Sequence, residues 1–116
     1  MASADVIVMA TPLYFFAASA PLKMVMDRMF SLYKWDNTAG TMTTALRGKT
    51  LVLLASAFED IGLEALEKPF LLTAEYTGMH FESLLVANAG ESGQIRRISG
   101  ISEKTKAFGQ KIAAWK

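Results

Sequence analysis

Asp5-Val6-Ile7-Val8-Met9-Ala10-Thr11-Pro12-Leu13-Tyr14-Phe15-Phe16 is the stretch whose reading settles the fold. Residues 6–10 are too few for a helix and rich in β-branched side chains, so they read as a buried strand. Residues 11–16 then form a loop with three consecutive aromatics at the strand's carboxyl end. In an α/β sheet, ligands bind just beyond that end. Downstream, Ser19 or Ala20 caps a helix with Pro21 in its first turn, where a missing N–H costs nothing. Leu22, Val25, Met26, Met29 and Leu32 follow the i, i+3, i+4, i+7 spacing of one apolar face, and Lys23, Asp27 and Lys34 fall on the wet side. The pattern predicts a helix over residues 21–33.

The same alternation continues along the chain. Residues 36–44 form a polar connector without periodicity. Residues 50–55 read as a second apolar strand, and Ser56-Ala57-Phe58-Glu59-Asp60 as the loop at its end. A helix is predicted over residues 63–77, closed by Gly78 as a left-handed C-terminal residue. Pro69 either kinks this helix or starts a new one. Residues 81–87 form the third strand, residues 88–93 its exit loop. A last helix runs from near Ser102, with Thr105, Phe108, Ile112 and Trp115 as its buried stripe and Lys104, Lys106 and Lys111 outside. The order β-α-β-α-β-α predicts one α/β domain over residues 1–116, with a parallel sheet and right-handed crossovers.

Composition narrows the function classes. Of 116 residues, 52% are hydrophobic and 20% charged, which is apolar for a small soluble domain, so part of this surface is expected to face a partner chain. Net charge is +1, with 12 basic and 11 acidic side chains interspersed, and no basic patch speaks for nucleic acid or an anionic membrane. Residues 6–22 are uncharged, but Pro12 and Pro21 interrupt them and Asp5 precedes them, a poor membrane span or signal. The absence of cysteine excludes disulfides and thiolate-bound metal and fits a cytoplasmic location.

Two strand-end loops carry the candidate site: residues 11–16, and Ser56-Ala57-Phe58 in the equivalent place one strand further on. The structural alternative is that Tyr14, Phe15 and Phe16 plug the sheet edge as buried aromatics do. Ser56 is no nucleophile, because the single histidine, His80, stands at the opposite end of its strand. Lys23 and Asp27 read as a solvated i, i+4 pair. Glu59 and Asp60 suit the start of a helix, Arg96-Arg97 reads as an exposed basic pair, and Gly90-Glu91-Ser92-Gly93 lacks the spacing of a phosphate-cradling loop.

Together, Ala4-Asp5-Val6-Ile7-Val8 with Thr11-Pro12-Leu13-Tyr14, and Ala20-Pro21-Leu22-Lys23-Met24-Val25-Met26-Asp27-Arg28, resemble the NADPH-dependent FMN reductase group of flavodoxin-like proteins. Their relatives include multimeric quinone reductases and iron–sulfur flavoproteins. The run from Gly48 to Ser56, Gly78-Met79 before a strand, and residues 98–113 fit the same family. The resemblance covers the chain but only the family's carboxyl-terminal portion. The first strand, the phosphate loop after it and the next βα unit have no counterpart, about 30 residues per unit.

The resemblance implies a partial flavodoxin-like three-layer sandwich lacking its first two βα units. It implies that Pro12, Leu13, Tyr14, Phe15 and Phe16 contact an FMN isoalloxazine ring, mostly through backbone, while Ser56, Ala57 and Phe58 flank its other edge. Ala57-Phe58 stands where relatives often carry a glycine pair. The parent activity implied is hydride transfer from NAD(P)H through FMN to an acceptor. The expected partner is a second copy or a complementary amino-terminal half. In the alternative, the chain is a non-catalytic assembly module that pairs through the open edge of its first strand.

Overall fold

The structure, a computed structural model, describes residues 1–114. In chain order the elements are β1 (Val6–Pro12), α1 (Ala20–Arg28), a 3-10 turn (Met29–Leu32), β2 (Tyr33–Asp36), β3 (Thr41–Thr44), β4 (Thr50–Ser56), α2 (Leu63–Thr77), β5 (His80–Val86), a second 3-10 turn (Gln94–Arg97) and α3 (Ile101–Ala113). The main sheet has the order β1-β4-β5 with both pairs parallel. Val6 stands opposite Thr50 and Thr50 opposite His80, and at the other end Pro12, Ser56 and Val86 align.

The central strand β4 is flanked on both sides, so Leu51, Val52 and Leu53 are all buried. Strand β1 is an edge strand and alternates instead. Ile7, Met9 and Thr11 are buried, while Val8 on the other face is 53% exposed. The core packs Ile7, Met9, Leu51 and Leu53 against Met26 and Met29 below α1 and against Leu66, Phe70 and Ala74 of α2. Ser83 donates a hydrogen bond to Glu67 of α2 on this face, and Lys111 of α3 pairs with Glu82 on the opposite one. The result is three layers, with α1 and α2 on one side and α3 on the other.

Several expectations are corrected. The first α-helix ends at Arg28 and tightens into a 3-10 turn, and Val25 in its predicted apolar face is exposed. The connector contains an antiparallel hairpin, β2 with β3, closed by Asp36 Oδ1, which accepts from the Thr38 and Ala39 N–H groups. No buried face gives these four-residue strands a hydrophobic period. Helix α2 continues through Pro69, where Ala65 loses the donor to its carbonyl but sits exposed to water. It is capped by Gly62, without a side-chain bond from Glu59 or Asp60. Gly78 closes it as expected, with φ +76° and the Met79 N–H on the Ala74 carbonyl. Strands β1 and β4 run to Pro12 and Ser56, past their expected ends, and β5 spans His80–Val86. On α3, Thr105 is exposed and Phe108 and Ile112 only half-buried. Trp115 lies outside the described residues.

Candidate functional site

The two predicted loops meet. Leu13 N–H donates to the Ser56 carbonyl at 2.9 Å, one step beyond the paired strand ends of Pro12 and Ser56. Below this joint Thr11 is buried, with its hydroxyl donating to the Pro12 carbonyl at 2.8 Å and accepting from Ser19 N–H at 3.0 Å. That one side chain ties the strand end to the start of α1 and holds the intervening loop at both ends.

Within the loop, Tyr14 and Ala17 exchange both backbone hydrogen bonds at 3.0 Å. The two residues between them, Phe15 and Phe16, have φ of +45° and +66°. Left-handed pairs of this kind are ordinarily filled by glycine, asparagine or aspartate, and bulky residues there are outliers that cluster at functional sites. Phe15 is 99% exposed, and Tyr14 and Phe16 are at least half exposed, so these aromatics do not plug the sheet edge. From this loop Leu13 and Ala18 pack toward the core. The Leu13 N–H is taken by the Ser56 carbonyl and the Tyr14 N–H by Ala17, whereas those of Phe15 and Phe16 have no backbone acceptor among the described residues.

On the neighbouring loop Ser56 is half-buried and Phe58 is exposed. Ala57 is 4% exposed, its N–H bound to the Val86 carbonyl and its carbonyl to Ala89 N–H, so it braces the loop from beneath. Leu13, Ala57, Phe58, Glu59 and Ile61 line a shallow cleft of about 160 Å³ between the loops. A second, of about 430 Å³, opens on the α3 face beside Pro12 and Ser56. A polar one of about 600 Å³ continues past Phe58 to Gln94 and Arg97. A further cleft, about 650 Å³, lies elsewhere, between Met26, Phe30 and Tyr33 on one side and Leu72 and Tyr76 on the other. It is broad and apolar, with no converging set of donors, and is the poorer candidate on chemical grounds. Burial, then Tyr76, pushes the Tyr33 hydroxyl pKa up there, and Arg47 opposes them.

Charge plays little part at the loops. Among the described residues the ion pairs are Lys23–Asp27, the predicted solvated pair, and Lys111–Glu82, both away from residues 13–16. No group of side chains among them could hold a metal ion, and no helix is long and apolar enough to cross a membrane. His80 begins β5, at the far end of the sheet from the loops. Sequence reasoning placed Thr11 in the candidate loop without giving its hydroxyl a role, and it passed over Gly62. A glycine directly before the helical period at Leu63 was the available signal for the second.

A family model described as flavodoxin-like fold matches residues 1–112. The chain belongs to this flavodoxin-like family. Among solved structures, the flavodoxin-like chain is similar to Trp repressor binding protein from Bacillus subtilis, at 21% identity and a TM-score of 0.69, covering 89% of this chain and 69% of that one. It is similar also to an FMN-dependent NADH-azoreductase from Bacillus anthracis in complex with FMN, at 14% identity and 0.72, covering 97% and 58%. A third is general stress protein 14 from Treponema denticola in complex with FMN, at 19% and 0.63, covering 99% and 68%. At these identities the likeness is one of fold, and the chain spans between 58% and 69% of those three structures' lengths. No curated protein matches it.

Proposed function

We propose that this flavodoxin-like chain forms the isoalloxazine-facing wall of an NAD(P)H-dependent FMN oxidoreductase. The observation that carries this is the joint of Leu13 and Ser56, which sets an aromatic turn with two open N–H donors beside Phe58 at the carboxyl edge of a parallel sheet. The residues fit the ring of FMN. Phe15 and Phe16 N–H groups suit its carbonyl and nitrogen acceptors, Tyr14 and Phe58 offer aromatic faces, and Pro12, Leu13, Ser56 and Ala57 build the floor. Bound FMN would supply the two-electron chemistry between NAD(P)H and an acceptor. The chain's own share is to orient the ring and exclude water from one side of it.

The residues do not fit the phosphate of FMN equally well. The strand-end loops among the described residues carry no glycine-rich cradle, so the reading assigns them the ring of FMN and not its phosphate. Quenching of flavin fluorescence tests this. FMN and riboflavin, which share the ring but not the phosphate, are expected to bind this chain within about threefold of each other. Failure of both to bind would sink the proposal.

A second reading, a non-catalytic assembly module, is favoured by one observation, that β1 is an edge strand with Val8 exposed beside it. A second copy or a complementary amino-terminal half adding to that edge would then be the function. Sedimentation velocity across a concentration series should show association that Val8→Lys abolishes, and a monomer at every concentration would dismiss self-pairing.

A further inference from the structure

We infer that Gly62 is a positioning residue for the aromatic turn, acting through the ring of Phe16. The inference rests on the flavin reading for its functional meaning but on geometry alone for its substance. Gly62 is far from the turn in sequence and stands at the cap of α2, with φ +83°. A Cβ built there would lie 2.2 Å from Phe16 Cδ1 and 2.8 Å from Cε1, so the ring occupies the space that any side chain would need. Both contacts are with ring carbons, so a side chain at position 62 and the ring cannot share this seat.

Phe16 in turn is half of the strained pair. With φ of +45° and +66°, Phe15 and Phe16 hold a conformation their side chains disfavour, and such residues persist only where the surroundings over-determine them. Three restraints do so: the Tyr14–Ala17 backbone exchange, the Thr11 hydroxyl on Ser19, and the Phe16 ring seated on Gly62. The first two fix the ends of the loop. The third acts on the tip itself, through the Phe16 ring, and so steers where the open N–H groups of Phe15 and Phe16 point.

Two requirements meet at Gly62, a left-handed backbone and an empty Cβ position, and substitutions separate them. Gly62→Asn keeps the first, since asparagine tolerates that region, and violates the second. Phe16→Ala relieves the second. Fluorine NMR of the full chain labelled with fluorophenylalanine, with Phe15 assigned by Phe15→Leu, reports the turn directly. In Gly62→Asn the Phe15 signal is expected to shift or split, although Phe15 does not touch Gly62, and flavin affinity to fall about tenfold. In a Phe16→Ala background the added Gly62→Asn should change neither readout further. An unmoved Phe15 signal in Gly62→Asn, or effects that add across the double variant, would overturn the inference. If the wild type binds no flavin, the proposed activity fails alone, and the Phe15 signal still decides the role of Gly62.

Discussion

The Thr11 hydroxyl and the Ser19 N–H lie 3.0 Å apart, bridging the last turn of a strand to the first turn of a helix across the whole aromatic loop. Thr11→Val keeps the shape of the side chain and removes both of its hydrogen bonds, leaving the Ser19 N–H without its acceptor. A loss of about 1–3 kcal/mol is expected. Urea unfolding should show a lower midpoint with unchanged slope, and Thr11→Ser should retain most of the stability.

Phe70 is the largest fully buried side chain, seated where α2 meets the sheet. Phe70→Ala deletes a ring from the centre of the core and should cost about 3–5 kcal/mol, depending on how far Leu66 and Met79 collapse into the gap. Thermal or urea unfolding checks this, and a cost below about 1 kcal/mol would mean that α2 does not pack as described.

Pro69 sits exposed inside α2. Pro69→Ala restores an N–H for the Ala65 carbonyl and removes the ring's clash with the preceding turn, against a smaller loss from the freer unfolded chain. The net expectation is a gain of about 1–2 kcal/mol, read as a higher urea midpoint. A neutral or destabilising result would show that the proline costs this helix nothing.

Tyr33 supplies a pH prediction. Its hydroxyl pKa is raised above 10.0, first by burial and then by Tyr76, with Arg47 pulling the other way. The folded state therefore holds this proton more tightly than the unfolded one. The contribution is intact below pH 10.0 and is lost as pH climbs through the folded pKa. Tyr33→Phe should flatten the alkaline fall in stability, and the tyrosinate absorbance missing from that variant should have its midpoint above 10.0.

Much of this fold was legible because the strands at Val6, Thr50 and His80 are short apolar runs whose carboxyl ends all face one way once the connections are right-handed. The adjacency of Leu13 and Ser56 followed from that. The hairpin was not legible, since Tyr33–Asp36 and Thr41–Thr44 bury no face and so show no alternation. The apolar spacing of α3 was real but overstated burial, because spacing says which face is apolar and not whether anything covers it. The turn at Phe15 and Phe16 defied propensity outright. Aromatic residues argue against left-handed backbone, and the Tyr14–Ala17 exchange, the Thr11–Ser19 bond and the seat of Phe16 on Gly62 hold it in place.

The position of β4 between its two partners has a kinetic consequence. Joining Thr50 to His80 closes a shorter loop than joining Val6 to Thr50, so the β4–α2–β5 unit closes at a slightly lower entropic cost and is expected to assemble first. Strand β1 then docks onto a surface already made, bringing the aromatic turn with it. Native-state hydrogen exchange should find the amides of β1 opening before those of β4. The segment proposed to meet the flavin is thus expected to be ordered after the β4–β5 pair and released before it.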